Sequence, residues 1–184
     1  MGPNETGIRY RPVPAGKPAF EELYRAYVTR VYAFLRSQLG NPQDAEDVTS
    51  QVFMKAYEAY GRYEARHQTP AAWLFRIARN GFLDSRRGPR GRPTSTLSEG
   101  LRAPQQGPVG VVLSRECAAR VAAAVARLPE QFRSVVLLRT QEGLAFADVA
   151  AVLDITEETA RWRLFKARQM LLRDLGDYLD AGES

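Results

Sequence analysis

The residues best suited to bind another molecule lie near the end of the chain, between Ile155 and Arg173. At about 100° per residue in a helix, the small and apolar side chains of this stretch fall on one stripe that can pack in a core. Five basic residues and no acidic one occur from Arg161 to Arg173. Exposing an indole among guanidinium groups does not favour stability, so the outer face is expected to contact an anionic partner. That face carries Arg161, Trp162, Phe165, Lys166, Gln169 and Arg173.

A shorter helix is predicted just upstream, over Phe146–Leu153. A short helix, a tight turn and a longer basic helix together form a helix-turn-helix. Ala145 offers no side-chain oxygen to cap the short helix, which costs about 1 kcal/mol of local stability. The alternative is an ordinary antiparallel helix pair with a solvated basic face, because short motif matches include false positives.

The rest of the chain offers little for covalent or metal chemistry. Its 184 residues carry a net charge of +5 and give a pI of about 9.6, which fits a polyanionic partner. The single histidine, His67, and the single cysteine, Cys117, are distant in sequence, so a zinc site would need several carboxylate ligands. We therefore expect no metal, no cofactor and no catalytic residue, and we do not expect an enzyme.

The sequence leads us to expect no targeting signal. No apolar run approaches the roughly 20 residues that a membrane-spanning helix needs. The first 17 residues lack the apolar segment of a signal peptide and contain several prolines and glycines, so a disordered lead-in is expected over 1–17. A single cysteine fits a reducing compartment. These features predict a cytoplasmic protein with no membrane insertion.

Three helices are predicted in the first half of the chain. Apolar residues recur at three- and four-residue steps over 18–39, and Asn41 and Pro42 form the cap and first position of a second helix that runs to about Tyr60. Thr69 opens a third helix, which runs to about residue 87. The outward face of the second helix holds Asp44, Asp47, Gln51, Glu58 and Met54, and a merely solvated acidic face is the simpler interpretation of it.

Arginines line the outer side of the third helix, next to a loop that holds Tyr63 and His67. Cations beside aromatic rings are suited to phosphates and unstacked bases. A solvated arginine face is an equally good interpretation of this segment taken alone. The residues on this side are Arg76, Arg79, Arg86 and Arg87.

The composition changes after residue 87. Pro, Gly and Ser dominate up to residue 110, which predicts a linker, and residues 86–113 hold five basic residues and one acidic residue. Helical patterns resume over 111–128 and 130–141. The sequence thus predicts an all-α protein of two small helical domains, 18–87 and 114–180, joined by a flexible linker over 88–113.

Taken together, the two halves resemble a bacterial RNA polymerase sigma factor of the extracytoplasmic-function group. The matching stretches are DAEDVTSQVFMKAY (44–57), TPAAWLFRIARNGFLDSRR (69–87) and the stretch 128–171, which ends in the helix-turn-helix. Each stretch alone is moderately specific. WLFRIARN followed at this separation by TARWRLFKAR is highly specific.

The resemblance implies a sigma-2-type domain, which binds the clamp helices of the largest polymerase subunit and melts the −10 promoter element. It also implies a sigma-4-type domain, which reads the −35 element and touches the polymerase flap. Promoter DNA and the RNA polymerase core are thus the expected partners, and an anti-sigma factor is a further candidate. The resemblance assigns core binding to Asp44, Asp47, Gln51 and Met54. It assigns contact with the −10 element to Arg66, His67, Thr69, Trp73, Arg76, Arg79 and Asn80. It assigns reading of the −35 element to Arg161, Trp162, Phe165 and Lys166, with Arg168 supporting them by a contact to phosphate.

One departure from the family affects promoter sequence. Most members have a small polar residue where this chain has Trp162, so the −35 sequence cannot be transferred from relatives. The linker is also unusually basic, which favours contact with a DNA strand.

Two other classes of protein compete with this interpretation. A helix-turn-helix regulator that binds duplex DNA without polymerase explains the last helix pair, but not the acidic face of the second helix or the basic third helix. A nuclease would need an acidic metal-binding cluster. Asp44, Glu46 and Asp47 are the nearest candidates for one, and they do not share one helix face.

Overall fold

The computed structural model describes residues 18–65, 68–87 and 110–181. Within these ranges the chain forms helices and turns and no strand, so the all-α prediction is confirmed. The helices are α1 (Phe20–Leu39), α2 (Pro42–Tyr60), α3 (Pro70–Arg87), α4 (Gly110–Arg127), α5 (Glu130–Val136), α6 (Phe146–Leu153) and α7 (Glu157–Ala181), and α5 continues directly into a π-helical turn over Leu137–Gln141.

The ends of the first three helices follow from local sequence. Helix α1 stops at Gly40, whose φ of 77° is in the left-handed region that glycine adopts without strain. Asn41 Oδ1 accepts a hydrogen bond from the Gln43 N–H at 3.0 Å and so caps α2. Thr69 Oγ1 accepts one from the Ala72 N–H at 3.2 Å at the start of α3. The cap predicted at Asn41 is therefore present, and Thr69 opens α3 as predicted.

Helices α1, α2 and α3 pack on one another around aromatic and branched side chains. Phe75 is fully buried, and the rings of Phe34 and Tyr27 meet it edge-on at centroid distances of 5.5 and 6.5 Å. A side chain at Gly81 would place its Cβ 3.2 Å from methyl groups of Val48 and Val52. The glycine therefore sets how closely α3 approaches α2.

The second half contains the predicted helix-turn-helix. Helix α6 has the predicted bounds, and Ala145 provides no side-chain cap, as expected. The Thr156 Oγ1 accepts a hydrogen bond from the Thr159 N–H at 3.1 Å and caps α7. Helix α4 begins at Gly110, inside the segment expected to be linker, and α7 continues beyond the expected end at Arg173.

The two halves also pack against each other. Helix α6 lies against α3, and the buried residues of both halves form one continuous cluster. Polar side chains join α1 to the second half as well. The predicted lead-in over 1–17 and the linker residues 88–109 lie outside the described residues.

Candidate polymerase and nucleic-acid interface

Helix α7 has the orientation that its apolar period predicted. Ala160, Leu164 and Ala167 are buried, and Leu171 packs partly against the same core. The opposite side is open to solvent: Trp162 is 51% exposed and Phe165 is 56% exposed. We call the side that carries Arg161, Trp162, Phe165, Lys166 and Arg168 the recognition face.

Arg161 is held in place by two neighbours on its own domain. It pairs with Glu157 one turn earlier, and its Cζ lies 4.4 Å from the ring centroid of Phe146 at the start of α6. The Cζ of Arg139, from the π-helical turn, lies 5.1 Å from the same ring. Phe146 thus supports two guanidinium groups by cation–π attraction. The sequence did not indicate that Arg139 belongs to this site, because only the folded turn places it beside α6.

The remaining side chains of the recognition face are only lightly packed. The indole of Trp162 lies 6.1 Å from the Phe132 ring at an angle of 49°, so one side of it touches α5 while the rest stays exposed. Lys166 Nζ lies 6.0 Å from the ring centroid of Phe165 and 3.4 Å from Gln169 Oε1. Arg168 is exposed. The surface therefore presents cations and flat rings together.

The acidic face of α2 is fully presented to solvent. Asp44, Asp47 and Gln51 are exposed, and Met54 is 65% exposed among them. Sequence reasoning missed two aromatic neighbours. Tyr57 is 67% exposed on the same helix, and Tyr24, which followed the apolar period of α1, is 44% exposed with its ring 4.9 Å from that of Phe53. Exposed Met and Tyr side chains are typical of protein-binding surfaces.

The basic side of α3 presents only some of its predicted residues to solvent. Arg76 and Asn80 are exposed, Arg79 is half-buried, and Thr69 is exposed with its hydroxyl engaged in the helix cap. Arg86 pairs with Glu130 of α5, so part of the predicted basic stripe is neutralised by the second half. The predicted −10 residues Arg66 and His67 lie outside the described residues.

The loop before α3 differs from expectation at Tyr63, which is 4% exposed and cannot offer its ring face to a base. Its ring stacks on Tyr60 at 5.9 Å and lies 4.8 Å from Trp73, and its hydroxyl donates to the Gln68 carbonyl at 3.0 Å. Burial raises the pKa of Tyr63 to about 12. Trp73 is half-buried at the edge of an open pocket of about 400 Å³. The pocket is lined by Ala59, Arg62, Tyr63, Glu64, Gln68 and Trp73.

Two further observations concern metal binding and membrane crossing. Among the side chains that the structure describes, no group of three or more His, Cys, Asp or Glu residues could hold a metal ion. None of the helices within the described ranges is long and apolar enough to cross a membrane.

A helix-turn-helix with a basic and aromatic recognition face is typical of nucleic-acid-binding proteins. In this protein it packs on a helical domain that has one acidic and one basic side. Comparison with known proteins makes the class specific. The family model for Sigma-70 region 2 matches residues 23–92, and the model for Sigma-70, region 4 matches residues 118–171. The chain belongs to the extracytoplasmic-function family of RNA polymerase sigma factors. The resemblance inferred from the sequence is confirmed.

Individual relatives match over most of this chain. It is 33% identical over 160 residues to the extracytoplasmic-function sigma factor SigE of Mycolicibacterium smegmatis, covering 85% of this chain but 62% of that protein. It is 30% identical to the RNA polymerase sigma-H factor of Pseudomonas aeruginosa, covering 84% and 85% of the two chains. The solved structure of CnrH with the cytosolic domain of CnrY superimposes with a TM-score of 0.60 at 26% identity, over 89% of this chain and 88% of that one.

Proposed function

We propose that this protein binds the RNA polymerase core, directs it to a specific set of promoters and helps to open their DNA. The recognition face is the observation that carries the proposal. It presents an exposed indole and phenyl ring beside Arg161 and Lys166 on the second helix of a helix-turn-helix. In this motif the second helix is the one that enters the major groove of DNA. Membership of the sigma factor family supports it. The protein itself performs no covalent chemistry in this scheme.

Each surface has a separate role in the proposal. The recognition face reads the −35 element, with Arg161 toward base edges and Arg168 on phosphate. The acidic side of α2, with Asp44, Asp47, Gln51 and Met54, binds the clamp helices of the core.

The −10 element falls to the basic side of α3. Arg76, Arg79 and Asn80 hold the strand as it unpairs, Thr69 begins that helix, and Arg66 and His67 belong to the preceding loop. In this proposal one unstacked base enters the open pocket of about 400 Å³ beside Trp73, with Arg62 at its wall.

The cellular compartment and a regulatory partner complete the proposal. The protein works in the cytoplasm, where the polymerase is. A regulatory partner of the anti-sigma type is included because the similar CnrH was solved with a second protein, the cytosolic domain of CnrY.

A regulator that binds duplex DNA on its own remains the competing function, and the matches to both sigma regions do not favour it. Run-off transcription of fragmented genomic DNA with purified core polymerase tests the proposal directly. We expect discrete transcripts only when both protein and core are present, and no gel shift of the same fragments by the protein alone. A gel shift without core, together with no new transcript, would support the regulator instead.

A matched pair of variants sharpens the test. Trp162→Ser alters the recognition face, whereas Asp174→Asn changes the same helix six residues beyond Arg168, at a side chain that contacts α4. We expect the first variant to change which fragments yield transcripts and the second to leave the pattern as it is.

A further inference from the structure

Exposed aromatic side chains line the seam between α1 and α2. The ring of Phe20 meets that of Tyr57 edge-on at a centroid distance of 5.1 Å, and the ring of Tyr24 meets that of Phe53 in the same way at 4.9 Å. Tyr24 and Tyr57 both stay exposed, as does Met54, which lies one turn before Tyr57. We call Tyr24, Met54 and Tyr57 the aromatic patch. Exposed apolar side chains grouped in this way mark a binding surface.

Negative charge continues the aromatic patch along α2 toward the start of that helix. Asp47 lies two turns before Met54 on nearly the same side, and it is exposed. Helix α2 carries four acidic residues and one basic residue, Lys55, which is paired with Asp84 of α3 at 3.4 Å. The surface therefore offers flat rings at one end and unbalanced carboxylates at the other.

The described part of the chain begins beside this surface. Pro18 is buried, and its carbonyl accepts a hydrogen bond from the hydroxyl of Tyr60 at the end of α2. The Tyr60 ring also lies 5.3 Å from the ring of Phe20, where α1 starts. Whatever precedes Pro18 is therefore tethered next to the aromatic patch.

The ten residues before Pro18 lie outside the described residues, and their composition complements both ends of the surface. They read IRYRPVPAGK, with three basic residues and no acidic one. Pro12 and Pro14 favour the polyproline II conformation, which docks on aromatic-lined surfaces and loses little entropy on binding. Arg9 and Arg11 come before the prolines, so they would lie farther from Pro18, toward the acidic end of the surface.

The lengths of the two segments agree with this pairing. Seven residues separate Arg11 from Pro18, and they span about 22 Å at 3.1 Å per residue in polyproline II. Thirteen residues separate Asp47 from Tyr60, and they span about 20 Å at 1.5 Å per residue in an α-helix. With the prolines on the aromatic patch, Arg11 therefore reaches Asp47.

We propose that residues 8–17 dock along α2, with Pro12 and Pro14 on the aromatic patch and Arg11 beside Asp47. The inference rests on the proposed function only for its consequence, which is that the docked segment and the polymerase core compete for one side of α2. A tethered segment has an effective concentration of about 1 mM. A dissociation constant of about 0.5 mM would then keep the surface covered in about two molecules of three and weaken core binding about threefold.

Paramagnetic broadening of backbone amide signals tests the docking in the full chain, without polymerase. A spin label on Gly7→Cys, in a Cys117→Ser background, is eleven residues from Pro18. We expect the strongest broadening near the start of α2, around Asp47. An undocked segment would instead broaden the signals around Pro18 most strongly, because the tether keeps the label nearest to that point, and this result would overturn the inference.

Two charge reversals separate specific docking from general attraction. Asp47→Arg should shift the broadening away from the start of α2. Glu158→Arg makes the same change of charge at an exposed site on α7 and should leave the pattern as it is. A mixture of spin-labelled protein with unlabelled, isotope-enriched protein tests the alternative occupant, a second copy. Broadening of the enriched copy at the start of α2 would overturn docking within one chain.

Binding to core polymerase supplies the second readout. We expect Arg9→Glu with Arg11→Glu to bind core about threefold more tightly, and the matched variant Arg9→Lys with Arg11→Lys to bind like the wild type. Unchanged or weaker binding by the first variant would overturn the competition. The two failures are distinguishable. A wild-type protein that never binds core refutes the proposed function while the broadening still decides the docking, and an active protein without focused broadening refutes the docking alone.

Discussion

Arg161→Ala tests whether the recognition face reads base pairs. A bidentate Arg–guanine contact discriminates against a wrong base by about 1–3 kcal/mol, which corresponds to about 5- to 140-fold. To reach DNA, Arg161 must leave both its pair with Glu157 and the ring of Phe146, and because the ion pair is exposed, the two contacts together cost about 1 kcal/mol. That cost applies to every DNA sequence and cancels from the discrimination. Specificity should therefore fall by the full factor, and overall affinity by less.

The measurement is binding of the polymerase complex to promoters in which each −35 base pair is changed in turn. We expect Arg161→Ala to flatten the preference at one or two positions and to leave the others as they were. Glu157→Gln removes the same ion pair while keeping Arg161, and it should retain the preference. Lys166→Ala should weaken all sequences more evenly and reduce the salt dependence, if Lys166 lies on phosphate. A uniform loss for Arg161→Ala would show a phosphate contact, and no loss would remove the recognition face from DNA reading.

The remaining predictions concern other surfaces. Trp162→Ser should shift promoter choice in run-off transcription and lower the free energy of unfolding by about 2 kcal/mol, since half of the ring is covered; a loss of 4 kcal/mol or more in denaturant titration would mark it as a core residue. Asp47→Arg should weaken pull-down of core polymerase with an unchanged melting temperature, and undiminished pull-down would leave the acidic face merely solvated. Arg76→Ala with Arg79→Ala should reduce permanganate reactivity on duplex promoter more than on a pre-melted bubble, and equal losses would exclude a role in melting. Because the pKa of Tyr63 is raised to about 12, its neutral phenol favours the fold below pH 10 and this contribution is lost as the pH rises toward 12; Tyr63→Phe should therefore unfold at higher pH in an alkaline titration followed by circular dichroism, and an unchanged midpoint would refute the argument.

The helix-turn-helix was predictable because its determinants are local. The stripe from Ala160 to Leu171 needs only the helical period, and Thr156 marks the start of α7 by its capping hydroxyl. The end of α7 was predicted too early, since the apolar stripe fades after Leu171. Helix propagation does not need that stripe, and Asp174 is anchored to Arg127 of α4 at 3.3 Å.

The candidate site was only partly predictable, because several contacts join residues far apart in sequence. Tyr63 lies in a polar loop, which suggested exposure, and only the approach of Trp73 on α3 buries it. The closeness of Arg139 to Arg161 depends on the turn that brings both to Phe146. No local pattern indicates that Arg30 would meet Glu142, 112 residues away.

That separation has a consequence for synthesis on the ribosome. At 5–20 residues per second, Glu142 is made roughly 6–22 s after Arg30. During that interval α1 to α3 can already fold, while the side of α1 that will meet the second domain is left facing water. Arg30 and Gln38 are polar and keep that side of α1 hydrated. This lowers the risk that the nascent first domain associates with neighbouring chains. The same polar residues that join the two halves of the finished protein would thus protect the first half while the second is being made.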